Sequence, residues 1–174
     1  MNNTLVTPAI SLRHYALVFG VCLLLWVLLV GNLAGQELLA GMVVSALVTL
    51  LFGSRFGILT GLRFSPLVPL YILGYLGYFM VALVRANLDL ALRVIAPSLP
   101  IRPALVEVKT TLKSPLGRLL LANSITLTPG TLSVDVRDDT LLVHWVYCPP
   151  GTDAQQATDK IAASFERHIG RFLL

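Results

Sequence analysis

Apolar residues run almost unbroken through three stretches of the first hundred positions, then give way to short alternating and helical-period segments. The unbroken runs are Tyr15–Val30, Leu38–Phe52 and Leu67–Val84. A bilayer core about 30 Å thick takes about 20 residues of helix, with a tolerance of about 17 to 25. With tolerant flanks the runs extend to 12–31, 36–53 and 66–84, and each predicts a membrane-spanning helix. Gly31-Asn-Leu-Ala-Gly-Gln36 is short and turn-rich, so the first two helices are predicted to form a hairpin. The third pattern continues past Val84. Leu88, Ala91, Leu92 and Ile95 keep apolar faces, while Arg85, Asp89 and Arg93 recur every four residues and can pair along one stripe. A helix from Pro66 to Ile95 is about 45 Å long at 1.5 Å per residue. That exceeds the hydrocarbon core, so residues 85–96 are predicted to be an interfacial extension. Ala96-Pro-Ser-Leu-Pro100 and Pro103 then break it.

The pattern changes at Ile101. Leu105-Val-Glu-Val-Lys109 alternates as a strand. Ser114-Pro115 pairs an N-cap with proline at the first helical position, and Leu116, Leu119 and Leu120 supply an apolar stripe. Thr128-Pro-Gly-Thr131 fits a type II turn, with Pro129 setting φ and Gly130 permitting a positive φ. Leu132, Val134 and Val136 then point one way, and Ser133, Asp135 and Arg137 the other. Asp138-Asp139 separates this strand from Leu141–Tyr147, which predicts a hairpin. Thr152-Asp-Ala-Gln155 reads as a capping box for a last helix with Ile161, Phe165, His168 and Phe172 on one face. The predicted fold class is a membrane protein: three N-terminal transmembrane helices within residues 1–100, then a small β-α-β-β-α, α+β domain over 101–174. A domain of that length has a marginal core and is expected to lean on the membrane helices or on partner subunits.

Composition agrees with this division. The chain has 174 residues, 56% hydrophobic and only 13% charged, against about 25% charged in soluble domains. Through Val84 the only charges are Arg13, Glu37, Arg55 and Arg63; every other charge follows. The net charge of +4 is spread over both halves, and no basic cluster interleaved with aromatics marks a nucleic-acid partner. Cys22 and Cys148 read as two unpaired thiols, one in an apolar run and one at a strand end. Met1–Leu12 has no basic residue, so the first run reads as a retained span rather than a cleaved signal.

Candidate chemistry is sparse. None of the three apolar runs contains Asp, Glu, Lys, Arg or His, and ion or proton paths through a bilayer are built on such groups. Glu37 opens the second helix, where the macrodipole favours a negative charge; ion capture at the surface is the alternative role. His14 beside Arg13 reads as an interfacial anchor. Gly41, Ser45 and Thr49 form a small-residue stripe that lets another helix approach closely. Tyr71, Tyr75 and Tyr78 share a face of the third helix and need polar partners or an interfacial position. His144 and Trp145 fall on opposite faces of a strand, and His168 reads as a packed, hydrogen-bonded core histidine. No nucleophile, metal set or phosphate loop appears, so the chain reads as no enzyme, with no catalytic residue, metal or cofactor. Three crossings leave the basic residues tied across the membrane: Arg13, Arg55 and Arg63 on one side, Arg85, Arg93 and Arg102 on the other. If the loop holding Arg55 and Arg63 shares a side with the C-terminal domain, one apolar run fails to cross.

The segment Arg85-Ala-Asn-Leu-Asp-Leu-Ala-Leu-Arg93, the proline-containing link after it and the block Asn123-Ser-Ile-Thr-Leu-Thr-Pro-Gly-Thr131 followed by Val-Asp-Val resemble the E subunit family of Mrp-type monovalent cation (Na+)/proton antiporters. The resemblance covers nearly the whole chain. It implies an accessory, non-ion-carrying subunit in a hetero-oligomer with other antiporter subunits, in the lipid of the bacterial cell (inner) membrane, multi-pass, with a cytoplasmic C-terminal domain. The residues read as structural or subunit contacts are Gly41 and Ser45 of the small-residue stripe, with Arg85, Asp89, Arg93, Asn123, Thr126, Thr128, Pro129, Gly130 and Thr131 of the resembling segments. The alternative is a membrane-anchored interaction or regulatory protein without a transport role.

Overall fold

The computed structural model describes residues 12–55, 61–63 and 65–174. The reading of the first residues as lacking a cleaved signal lies outside them, apart from Leu12. The chain forms two compact units, Met1–Thr60 and Gly61–Leu174. The third apolar helix therefore groups with the C-terminal elements, whereas the sequence groups it with the first two runs.

The first unit is a helical hairpin of α1 (Leu12–Val30) and α2 (Gly35–Phe52), closed by a single 3-10 turn at Gly53–Arg55. Both ends of the hairpin are tied. Near the loop, the Trp26 indole N–H donates to the Glu37 carbonyl at 3.0 Å. At the open end, His14 Nε2 bonds the Gly53 carbonyl at 2.9 Å. His14 is buried, so it ties the start of α1 to the turn after α2. Gly41, Ser45 and Thr49 are the buried residues of α2. The Trp26 ring lies where a Cβ on Gly41 would sit, 2.5 Å from its Cδ1. Most of the remaining surface of both helices is exposed and apolar.

The second unit opens with α3 (Val68–Ile95), followed by β1 (Ala104–Lys109), α4 (Pro115–Leu127), β2 (Thr131–Arg137), β3 (Thr140–Trp145), α5 (Ala154–Ile161) and α6 (Ala163–Ile169). The strands form one antiparallel sheet in the order β1-β3-β2. Its core gathers Val108, Leu121, Ile125, Leu141, Val143, Phe165, Ile169 and Phe172 with Tyr75 of α3, while Tyr71, Tyr78, Phe79 and Ala82 pack against it. Each sheet edge carries one bond to a helix hydroxyl. The Ser133 N–H donates to Thr126 Oγ1 at 3.1 Å, and the Lys109 N–H to Thr158 Oγ1 at 3.0 Å.

Several expectations are corrected. Among the described residues two helices, α2 and α3, are long and apolar enough to cross a membrane, not three; α1 offers the shorter stretch His14–Val30. The last helix is two, because Ala162 departs from helical geometry at φ −108° between α5 and α6. Its cap is Asp153, which accepts from the Gln156 N–H at 2.7 Å. The Thr152 hydroxyl instead donates to the Pro149 carbonyl. On α4 the buried stripe is Leu121, Ala122 and Ile125, with Leu119 exposed. On β2 the apolar side is the exposed one. Ser133 faces α4 instead, donating from Oγ to the Ala122 carbonyl at 3.0 Å, and the register shifts between Ser133 and Asp135.

Gly41 gives a direct check on the hairpin. Gly41→Ala forces the Trp26 ring to move, and overpacking of this kind costs about 1–3 kcal/mol. At Gly20 an added Cβ meets nothing within 4 Å, so that position tolerates the same change. Denaturant titration of the detergent-solubilised protein, followed by helical circular dichroism, is expected to show a loss for Gly41→Ala and none for Gly20→Ala.

Candidate functional site

The residues the sequence singles out converge where the end of α4 meets α3. A helix leaves its last carbonyls without partners, and here the following block supplies them. Thr128 Oγ1 donates to the Ser124 carbonyl at 2.7 Å. Thr131 Oγ1 donates to the carbonyls of Ile125 at 2.7 Å and Thr128 at 2.9 Å. The Thr131 N–H closes the turn on the Thr128 carbonyl at 3.2 Å, and Gly130 stands at φ +93°. This is the type II geometry that its sequence specifies. The Gly130 carbonyl accepts from the Val146 N–H at 2.9 Å, fastening the turn to the end of β3. Thr126 accepts from Ser133 as described, and Asn123 is exposed.

Helix α3 lies across this assembly. The Tyr75 hydroxyl bonds Ser124 Oγ at 2.7 Å in a buried setting, and Ser124 itself donates to the Leu120 carbonyl at 2.6 Å. Tyr78 stacks on His168 with centroids 4.4 Å apart and an interplanar angle of 12°, and meets Phe165 edge-on at 5.3 Å. His168 is held by a 2.8 Å bond from Nδ1 to the Ser164 carbonyl. Further along, Arg93 makes a two-point pair with Asp89, Nε to Oδ2 at 2.7 Å and Nη2 to Oδ1 at 3.2 Å. Its guanidinium carbon sits 4.2 Å above the Tyr147 ring, and Nη1 reaches the Pro100 carbonyl at 3.3 Å. An exposed i,i+4 pair contributes about 0.2–0.5 kcal/mol; the ring and carbonyl contacts make Arg93 a clamp between α3 and the strand end. Arg85 is exposed on α3 and takes no part.

Between these elements runs a cleft of about 280 Å³, lined by Tyr78, Asp89, Arg93, the turn Thr128–Thr131, Trp145 and Lys160, among others. Asp89, Arg93, Thr128, Pro129, Gly130 and Thr131 thus share one site. Gly41 and Ser45 belong to the hairpin unit. The sequence reading missed Tyr147, Trp145 and Lys160, whose roles depend on the sheet register. The three tyrosines of α3 were the available signal for the Tyr75–Ser124 and Tyr78–His168 contacts. Among the described residues no three His, Cys, Asp or Glu side chains come together to hold a metal ion. The cleft holds one carboxylate already paired to Arg93 and hydroxyls already spent on backbone carbonyls. These bonds join α3, the turn and the end of β3.

Residues 19–172 match a family model, MNHE, described as Na+/H+ ion antiporter subunit. The chain is 36% identical over 100 residues to the Na(+)/H(+) antiporter E subunit of Alkalihalophilus pseudofirmus, a match covering 56% of this chain and 61% of that one. It is 36% identical over 91 residues to the corresponding antiporter protein of Bacillus subtilis, covering 52% and 57%. The chain therefore spans about three-fifths of the length of these curated relatives. Among solved structures, a chain of the membrane-bound sulfane sulfur reductase (MBS), an archaeal respiratory membrane complex, superposes with a TM-score of 0.77 at 37% identity, covering 90% of this chain and 96% of that one.

Two substitutions test the joint. Ser124→Ala leaves the Tyr75 hydroxyl buried without its partner, at about 1–3 kcal/mol, whereas Tyr75→Phe leaves Ser124 bonded to Leu120 and costs about 0.5–1.5 kcal/mol. Thermal unfolding of the purified chain is expected to rank them in that order. Gly130→Ala meets no atom within 4 Å, so its cost is backbone strain alone, about 1–2 kcal/mol. The same melt reads it as a lower midpoint with the secondary structure intact.

Proposed function

Because the chain belongs to the MNHE family of Na+/H+ ion antiporter subunits, we propose that it is an accessory subunit of a multisubunit monovalent cation/proton antiporter. In this reading it carries no ion and supports the assembly and stability of the complex. It works as a multi-pass protein of the cell membrane, its C-terminal domain in the cytoplasm and other antiporter subunits as its partners.

One observation carries the reading. Between His14 and Glu37, and from Glu37 to Arg55, the hairpin has no acidic or basic side chain. Its buried polar side chains between these ends are the hydroxyls of Ser45 and Thr49, which do not titrate in the physiological range. A path for protons or cations through lipid is built on groups that take up and release charge. The role left to such a hairpin is packing.

The sheet supplies a surface for partners. Its outer face exposes Leu105 (60%), Leu132 (50%) and Val134 (54%) beside the half-buried Leu142. Apolar patches on an otherwise polar domain mark protein contact sites. Arg85 and Asn123, both exposed, are the singled-out residues open to a partner. The turn residues hold the sheet and α3 together behind it.

The test uses the whole complex, purified from membranes in mild detergent. Leu132→Glu with Val134→Glu alters exposed positions, so the isolated chain keeps its fold by circular dichroism. A loss of about 1.4 kcal/mol at the contact lowers co-purifying subunits about tenfold. Antiport in vesicles is expected to fall with complex yield, while the surviving complex keeps its apparent affinity for the cation. An intact complex with altered cation affinity, or unimpaired antiport after deletion of the chain, refutes the accessory role.

A further inference from the structure

We infer that α3 does not cross the bilayer but lies along its cytoplasmic surface, its uncharged outer face set into the lipid interface and its other face roofed by the α+β domain. The inference rests on the membrane-subunit reading above. By length and composition α3 passes as a span; what it packs against argues otherwise.

The contacts between α3 and the domain run nearly the length of the helix. Tyr75 meets Ser124 and Phe172, Tyr78 meets Phe165 and His168, and Arg93 meets Tyr147. From Tyr75 to Arg93 is about 27 Å of helix, close to the full thickness of the hydrocarbon. An upright α3 would draw the packed domain into lipid beside it. Glu107, Lys109 and Arg137, all exposed, would lose water, and so would the backbone of every loop on that side. Irregular backbone facing lipid has no partners and costs several kcal/mol per group. A helix lying flat avoids this cost, and its 28 residues, about 42 Å, need match no bilayer thickness.

The other face of α3 is mostly apolar. Leu73, Met80, Val84, Leu88, Leu92 and Ile95 are all exposed on it; Asn87 is the polar residue among them, its amide bonded to the Leu83 carbonyl, and Arg85 stands at its margin. The charge pattern names lipid as the cover, because it settles into one arrangement. The apolar stretch of α1 is the shorter one, but the whole helix has 19 residues, within the tolerance of a span; with α1 and α2 as the only crossings, Arg13, Arg55, Arg63, Arg85, Arg93 and Arg102 all fall on one side, and the hairpin loop on the other carries no basic residue, with Glu37 beside it. Basic residues near membrane helices gather on the cytoplasmic side. A third crossing splits the same six residues evenly.

The experiment labels single cysteines in the full chain within membrane vesicles, after Cys22→Ser and Cys148→Ser. Ser65→Cys lies just before α3 and Ser98→Cys just after it. Both are expected to react with a membrane-impermeant maleimide from the cytoplasmic side only. Reaction from opposite sides would falsify the inference. Nitroxide labels at Leu73, Met80 and Leu88 read depth independently. Uniform shallow immersion, with oxygen relaxing them more than an aqueous nickel complex, supports lipid contact. A depth maximum near Met80 overturns it, and so does shielding from both relaxants, which means that protein covers the face. Same-side labelling in vesicles that lack antiport supports this placement while counting against the functional reading.

Discussion

The α+β domain does not close its own core, and the rest of the second unit depends on how that shortfall is met. Roughly seventy residues bury too little apolar surface to be comfortably stable alone. Here Tyr75 enters the core beside Phe165, Phe172 and Leu121, with Tyr71, Tyr78 and Phe79 flanking it. The tyrosine ring brings area, and its hydroxyl finds Ser124, so no polar group is stranded. Without α3 the aromatic ends of α6 and the tail behind it would face water. The domain and the helix are one folding unit, which is why the chain divides before Gly61 and not after Pro100.

The same economy explains the most conspicuous block of the sequence. Ser124, Thr126, Thr128 and Thr131 look like an array of ligands, yet each hydroxyl has an internal partner. Ser124 serves Tyr75 and Leu120, Thr126 serves Ser133, and Thr128 and Thr131 satisfy the carbonyls that α4 leaves open. The turn these bonds fix carries β2 away from α4 and places Gly130 under Val146. Arg93 then clamps the far end through Tyr147. A disturbance at Gly130 is therefore felt at the seam between helix and sheet.

Local signals in the sequence read well. The cap at Ser114, the type II turn, the hairpin at Asp138-Asp139 and the small-residue stripe of α2 are all encoded within a few residues of where they act. Three features were less legible, each for a physical reason. The orientation of β2 follows from Ser133 reaching α4 and from the shifted register, and period-two alternation carries no sign of which side is covered. The break at Ala162 has no local signal, because nothing in Ile161-Ala-Ala-Ser forbids a helix. Trp145, Tyr147 and Lys160 join Asp89 and Arg93 only through sheet register, a relation between distant segments.

The hardest distinction was between α2 and α3, which hydropathy scores alike. Their buried faces separate them. In lipid, helices gain nothing by hiding apolar surface from one another, so close approach through small residues does the work; the buried residues of α2 are Gly41, Ser45 and Thr49. In water, burying apolar area drives association, and aromatic side chains contribute most; the covered face of α3 is Tyr71, Tyr75, Tyr78 and Phe79, ending in an ion pair. One helix is packed as lipid requires and the other as water requires. The apolar exterior of α3 is then what remains when a helix has water-driven packing on one side and a membrane surface on the other. An uncharged stretch of sequence is thus an incomplete statement about crossing, and the residues that touch its neighbours supply the missing part.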